Sequence, residues 1–563
     1  MSTRGERTGR CRIGGLITSK VLIVGLDGAT WSLFGPWVRA GHLSHLGSLM
    51  ARGTWGTLRS TVPALTMPAW ASFMTGKNPG QHGVFAFRRL SSSSYEPRGI
   101  ANASDLRCAT LWDLAGRAGK QVGVISVPPS YPIRPVNGFV VSCMLTPPGE
   151  TRFTDPPEVA EELGDFTINV KVPPGMWPGA PEFAESAISY LEALWQETRS
   201  RASATVRLMQ RRPWDLLCVV FYAPDRIQHY FWNYLDGMGE CPDPGNSETA
   251  HRLRSLVRSI YETLDEGLGR LIEAAGQDTT VVILSDHGFA PAPERIVRVN
   301  RWLADRGFLH QRWAWQLRRK VIRKLLPRPW RDRYNTIEHF LIDRAKTRAW
   351  CDAMDDPGTG GIWIHTRDRY PLGCVAPGVE YEDLRTEILE GLRALRDERG
   401  LQVFRAVHRR EEVYSGPYVE EAPDLIAECE QRFGLVFSPL SPDLHQREVF
   451  GLFAEGSGVK YSGSHDPAGM YLFAGPPIRA LGEHQEYPIE AIAPTALHLL
   501  GLPVPRSMEG PVCTDVLDRD VLNAHPVRFC DDEADGPTAL GDWMSKEDEA
   551  LVEERLRSLG YLG

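Results

Sequence analysis

The sequence has no apolar run approaching the roughly 18–20 residues of a transmembrane helix, so no integral membrane segment is expected. It has no C-x-x-C pair, and its ten cysteines are scattered. In a chain of 563 residues these read as small core residues rather than a disulfide framework or a zinc knot. It has no surplus of positive charge. The formal net charge is -8, which argues against nucleic acid as a partner. It has no internal repeats. With 42% hydrophobic and 24% charged residues, it has the balance of a soluble globular protein and not of a disordered or fibrous one. The N-terminus is basic (Arg4, Arg7, Arg10, Arg12) and runs into a fairly apolar stretch, so a signal peptide has to be considered. Lys20 interrupts that stretch, and it ends in Asp27, which the chemistry below requires. Residues 1–18 are therefore read as a flexible tail and the protein as cytoplasmic.

Short, bulky apolar runs bounded by turn residues recur along the chain. They are Val21–Leu26, Val122–Val127, Phe139–Cys143, Leu216–Tyr222, Val281–Leu284 and Met470–Phe473. Such runs suit strands buried on both faces. Helical patterns lie between them, at Leu111–Ala118, Ala187–Met209 and Leu253–Ala275. The alternation predicts an α/β fold with a mostly parallel central sheet and helices on both faces. The stretch 312–350 differs: it is rich in Lys and Arg, with Trp313, Trp315, Trp330 and Trp350 interleaved. Leu317, Val321 and Leu325 recur every fourth residue, so part of it reads as an amphipathic helical insertion with a basic face. Near the end, Ser545-x-x-Asp548 reads as a capping box. Leu551, Val552, Leu556 and Leu559 then form one stripe, predicting a terminal helix docked on the body.

Several segments carry chemistry. The apolar run Val21–Leu26 delivers Asp27 at its end, where α/β sheets place their sites; alone, such an aspartate also fits a turn cap. Val281–Leu284 leads to Ser285, then Asp286, His287 and Gly288. A carboxylate beside an imidazole suits a borderline dication such as Zn²⁺. Gly288 is expected to let the backbone turn sharply there. Asp225 and His229 are four apart, which on a helical turn puts both on one face. His465 stands in a Gly/Ser loop before Met470–Phe473, with no apolar surroundings to explain it. Thr66 precedes Met67 and Pro68 and can begin a helix. A helix N-terminus favours an anion, and a threonine hydroxyl becomes a nucleophile when a metal or base lowers its pKa.

Taken in order, these pieces resemble the alkaline phosphatase superfamily, and most of all its type I phosphodiesterase/nucleotide pyrophosphatase branch with the related bacterial phosphohydrolases and phosphomutases. The strings Thr75-Gly76-x-x-Pro79-x-x-His82-Gly83 and Ile492–Pro503, and the closing Glu554–Tyr561, fit the same branch. The resemblance runs from about residue 19 to the C-terminus. It implies two divalent cations, Zn²⁺ first and Mn²⁺ as the alternative. One would be held by Asp27, Asp286 and His287 with Thr66 as nucleophilic ligand, the other by Asp225, His229 and His465. It implies hydrolysis of phosphodiesters or phosphomonoesters through a phospho-threonine. The alternative is a phosphotransferase or phosphomutase that passes the phosphoryl group to a second hydroxyl. Because the ligands span Asp27 to His465, one catalytic domain is expected over 19–530. A basic insertion at 300–350 and a cap region at 360–450 would shape its pocket, and 531–563 would form an acidic linker and the terminal helix.

The sequence departs from the nucleotide pyrophosphatases at one position. They place a phosphate-binding Asn twenty-one residues after the nucleophile, where this chain has Phe87, followed by Arg88 and Arg89. The sulfatase motif C/S-x-P-x-R is absent at Thr66–Trp70. Arg88 and Arg226 are expected as substrate-binding groups, since a guanidinium suits the charge of a monoester. The partner expected is a small anionic phosphate ester; oligomeric state is not readable from the chain.

Overall fold

The computed structural model describes residues 20–90, 93, 99–176, 180–235, 247–312, 342–435, 448–452, 461–531, 544–559, 561 and 562. The tail 1–18 and most of the basic insertion, including the helix expected around Leu317–Leu325, lie outside these residues.

The main sheet is built on β1 (Lys20–Leu26), β2 (Gly53–Arg59), β3 (Val122–Ile125), β4 (Gly138–Val141), β5 (Thr154–Asp155), β6 (Leu216–Phe221) and β7 (Thr279–Leu284). Five of them lie side by side and parallel in the order β7-β1-β6-β3-β4. The strand Ala468–Ala474 runs antiparallel between β7 and β2, and β5 pairs antiparallel with β4. All six apolar runs singled out above enter this sheet. Their side chains divide with period two. Val21, Ile23, Cys218, Val220, Val282 and Leu284 face one core. Leu22, Val24, Leu217, Val219, Val281 and Ile283 face the other. The first core is covered by the helix Thr66–Thr75 and the terminal helix Lys546–Leu559; the second by the long helices Phe183–Arg211 and Ser247–Ala275. Both faces of the sheet are therefore dry, which is why its strands read as continuous apolar runs rather than alternating ones. Cys143 and Cys218 sit in these cores as small apolar residues.

A second, antiparallel sheet lies within the region expected to shape the pocket. Its strands are Ala349–Asp352, Thr359–Ile364, Leu425–Cys429 and Phe404–Arg409, in that spatial order. The helix Val379–Arg393 buries Leu384, Ile388, Leu389 and Leu392 against it. This sheet meets the main body near the Thr66 segment. The Tyr414 hydroxyl donates to the Val62 carbonyl, and the Asn78 amide donates to Ser415.

The terminal helix forms as expected. The Asp548 amide donates to Ser545 Oγ at 3.0 Å, and Val552, Leu556 and Leu559 are buried. Leu551 leaves the stripe: it is 45% exposed because only the other three lie toward the core. No described helix is long and apolar enough to cross a membrane.

Candidate active site

The parallel strands end on one edge of the sheet. Asp27 follows β1 directly, and Asp286 follows β7 by two residues. The paired register of β1 with β7 sets these two carboxylates side by side. The Gly28 amide donates to Asp286 Oδ1 at 3.0 Å and locks that arrangement. Gly28 has φ +69°, and a Cβ there would stand 3.0 Å from Asp225 Cα. Both the conformation and the close approach require glycine.

Asp225 and His229 lie on the helix Ala223–Phe231 that follows β6, on one face as their spacing requires. His465 is not in a loop. It lies on the strand Gly463–Asp466, which pairs antiparallel with β8 (Gly288–Pro291), opposite Phe289. Gly and Ser are poor strand formers, so sequence favoured a loop there, but tertiary pairing overrides propensity. Gly463 is needed for that pairing, since a Cβ would come within 2.4 Å of the Gln228 carbonyl. Gly288 serves the same end: it is a strand residue whose missing Cβ would meet the Ala468 carbonyl at 2.1 Å. It admits a close neighbour rather than a sharp turn.

Thr66 is the first residue of its helix and is fully buried. Its Oγ1 lies 3.5 Å from His287 Nε2. At a helix start the Thr66 and Met67 amides lack partners in the i→i−4 ladder, and Pro68 has none to offer. Trp70, one turn along, directs its indole N–H toward Asp27 Oδ2 at 3.4 Å.

The seven residues form two adjoining groups. In the first, His287 Nε2 is 3.2 Å from Asp286 Oδ2 and 3.8 Å from Asp27 Oδ1. In the second, Asp225 Oδ1 is 3.3 Å from His229 Nε2 and 3.4 Å from His465 Nε2, and the two imidazole nitrogens are 3.1 Å apart. The His287 and His465 rings stack at 3.8 Å, so His287 can also be grouped with Asp225 and His465. The Nδ1 of His287 points at the Gly288 carbonyl, and that of His465 at the Ala64 carbonyl. A carbonyl only accepts, so each Nδ1 carries the proton and each Nε2 presents a lone pair to the cluster.

That arrangement fits divalent cations. Asp27 Oδ1, Asp225 Oδ1 and Asp286 Oδ2 are buried, and among the described residues no hydrogen-bond donor meets them. Lone pairs and carboxylate oxygens facing one another repel unless a positive charge lies between them. Ligand atoms at about 2.0 Å from a tetrahedral Zn²⁺ are roughly 3.3 Å apart, which matches the 3.1, 3.3 and 3.4 Å separations of the second group. The electrostatics agree. Burial pushes Asp27 well above the ordinary carboxylate range, and the Asp286 and Asp225 charges add to the rise. Burial raises Asp286 too. Burial also opposes ionisation of Asp225; positive charge on the His229 and His465 side would outweigh it and hold that carboxyl well below its usual range, and with the imidazole lone pairs turned inward that charge has to come from a cation. His287 is pushed down by burial to about 4, so it is neutral, as a ligand must be. A bound dication offsets the cost of burying three carboxylates together.

Arg88 and Arg226 have partners of their own, and Arg226 is near enough to the cluster to pull the Asp27 carboxyl down. The Arg88 guanidinium pairs with Asp355 at 2.5 Å and lies 3.6 Å from Glu553. Arg226 is fully buried over the Tyr222 ring and donates to Asn169 Oδ1 at 2.9 Å. Three residues of the site went unnoticed in the sequence. Trp70 could have been found, since it lies four positions from Thr66 on the same helix. Gln228, which donates to the Gly28 carbonyl, carries no local signal; Tyr561, whose hydroxyl donates to Asp225 Oδ2 at 2.6 Å, closes the Glu554–Tyr561 string, but nothing in that string ties it to the site.

A sequence profile of the type I phosphodiesterase / nucleotide pyrophosphatase family matches residues 21–451. No curated protein sequence matches the chain. Among solved structures, phosphonoacetate hydrolase from Sinorhizobium meliloti, in complex with phosphonoacetate, has a similar fold. It is 16% identical with a TM-score of 0.51, over 86% of this chain and 96% of that one. Inactive murine ectonucleotide pyrophosphatase / phosphodiesterase 5, in complex with AMP, is 13% identical with a TM-score of 0.48, over 89% of this chain and 100% of that one.

Proposed function

This chain belongs to the type I phosphodiesterase / nucleotide pyrophosphatase family of phosphate-ester hydrolases, and on that premise we propose that it works through a phospho-threonine on Thr66. The observation that carries the reading is the meeting of Thr66 with two carboxylate–imidazole groups drawn from segments as far apart as Asp27 and His465. Asp27, Asp286 and His287 would hold one divalent cation together with Thr66; Asp225, His229 and His465 would hold the other. Zn²⁺ suits the mixed oxygen and nitrogen donors best, with Mn²⁺ as the alternative. When bound, the cations supply positive charge that lowers the pKa of attacking hydroxyls and offsets charge on the leaving oxygen.

The chain's own residues account for the rest. The Thr66 hydroxyl gives up its proton to water as its oxygen bonds to phosphorus, and the bond from phosphorus to the leaving oxygen breaks, that oxygen taking a proton from water to depart as the alcohol. The amides of Thr66 and Met67, at the positive end of their helix, would donate to the phosphoryl oxygens. Water then cleaves the bond between phosphorus and Thr66 and releases phosphate or a monoester. Burial of Thr66 keeps bulk water from the hydroxyl before substrate arrives.

Specificity follows from what surrounds Thr66. Phe87 is buried against the Tyr561 ring, so the position that carries a phosphate-binding Asn in the nucleotide pyrophosphatases offers no polar group. Arg88, held by Asp355, and Arg226, buried behind Tyr222, take no direct part in this reading. We therefore expect turnover of both phosphodiesters and monoesters, with no strong preference for nucleotides. The test is a screen with nitrophenyl monoester, diester and sulfate, followed by an acid quench during turnover. Phosphate recovered on Thr66 supports the reading. Near-normal turnover by Thr66→Ala would sink it.

A further inference from the structure

The last residues of the chain reach into the site. Tyr561 is 1% exposed. Its hydroxyl donates to Asp225 Oδ2 at 2.6 Å, the length of a hydrogen bond to an ionised carboxylate. The other oxygen, Asp225 Oδ1, is the one that faces His229 and His465. The tyrosine thus occupies one carboxylate oxygen and leaves the other to the imidazoles. The ring is itself fixed. It stacks on Phe87 at 4.8 Å with planes 27° apart, and meets the His229 ring edge-on at 6.0 Å.

The helix before Tyr561 is anchored on both sides of the site. Glu549 accepts from the Ile100 amide at 2.9 Å. Arg555 donates to the carbonyls of Met144 and Thr146 at 2.6 and 2.8 Å. The Ser558 carbonyl accepts from the Tyr230 hydroxyl at 2.5 Å, one residue along from His229. Val552, Leu556, Leu559, Tyr561 and Leu562 all join the core beneath the helix Thr66–Thr75. A terminal segment serving only to cover apolar surface needs no buried hydroxyl at its end. This one spends a tyrosine on a single carboxylate oxygen. Phe87 then has a reason of its own: it is the platform that aims that tyrosine.

We propose that Tyr561 is a positioning residue. It holds Asp225 in a one-oxygen presentation toward His229 and His465, and so sets the affinity of the cation in that group. The inference rests on the reading that Asp225, His229 and His465 hold a cation. Partners that orient a metal ligand are typically worth 10–100-fold in metal affinity.

The test is competition for Zn²⁺ against a chromophoric chelator, on the full chain and on Tyr561→Phe, which keeps the ring and its stacking. Wild type should bind two equivalents. Tyr561→Phe should bind one unchanged and the other about 10–100-fold more weakly, and its turnover should recover at saturating Zn²⁺. A purely structural defect would not be rescued in that way. Two equivalents bound as tightly by Tyr561→Phe as by wild type would overturn the inference and leave the two-cation reading standing. A wild type that binds fewer than two would overturn that reading itself. If Tyr561→Phe does not fold, Phe87→Leu decides: it leaves the hydroxyl but removes the platform. It should weaken the same cation several-fold, and unchanged affinity would count against the proposal.

Discussion

The two halves of the site are built differently. Asp27 and Asp286 stand at the ends of neighbouring parallel strands, and their separation is set by the β1–β7 register. Asp225 and His229 come from a helix, His465 from a short antiparallel strand, and the aim of Asp225 from a tyrosine at the chain's end. The first half is fixed by backbone hydrogen bonds that the sheet makes anyway. The second is fixed by side chains arriving from three directions. A site of this kind should tolerate distant change in its first half and register it in its second.

The largest effects separate chemistry from metal binding. Thr66→Ala should lower kcat/KM by about 10³-fold or more while both cations stay bound, checked by single-turnover kinetics beside metal analysis. Chelation should abolish turnover, and Zn²⁺ or Mn²⁺ should restore it. His465→Ala should lose one cation of the two and retain the one held by Asp27, Asp286 and His287. If it loses both, the halves are not independent and the comparison fails.

Gly28 is where the halves touch. Its amide holds Asp286, and its missing Cβ makes room for Asp225. Gly28→Ala should cost about 1–3 kcal/mol of stability through a strained positive φ. It should also disturb both cations, because its Cβ would push on one half while the strain pulls on the other. Denaturant unfolding and metal content read the two effects separately.

A smaller effect supplies a control outside both groups. His82 is buried, accepts from the Val84 amide at Nδ1 and lies 3.0 Å from Ser72 Oγ. Burial, with Lys77 nearby, lowers its pKa from 6.5 to about 3. A histidine kept neutral by folding contributes stability that is full above its unfolded pKa. That contribution is lost as pH falls from about 6.5 toward 3. His82→Gln should therefore flatten the fall of unfolding free energy across that window by up to about 1.4 kcal/mol per pH unit. An unchanged slope would assign acid sensitivity to the cluster alone.

What was legible in the sequence follows the same division. Apolar runs, strand-end acids and the four-residue spacing of Asp225 and His229 are local patterns, and each is where its periodicity placed it. His465 was legible as a residue but not as a strand, because only pairing with β8 makes Gly463–Asp466 extended. Leu551 looked like core because a stripe read from sequence does not say where the docking face ends. The ion pair of Arg88 was not legible because its partner, Asp355, lies 267 residues away. Tyr561 was invisible as a site residue for the same reason: its contact with Asp225 spans 336 positions. Sequence reading finds chemistry that is local and misses the long-range contacts that aim it.

The central claim is that two adjoining groups each hold a cation, and anomalous diffraction at the zinc edge from the Zn²⁺-loaded protein tests it most directly. The account predicts two peaks, one within bonding distance of Asp27, Asp286 and His287 and one within bonding distance of Asp225, His229 and His465. A single peak, or cations bound elsewhere with either group empty, would contradict it.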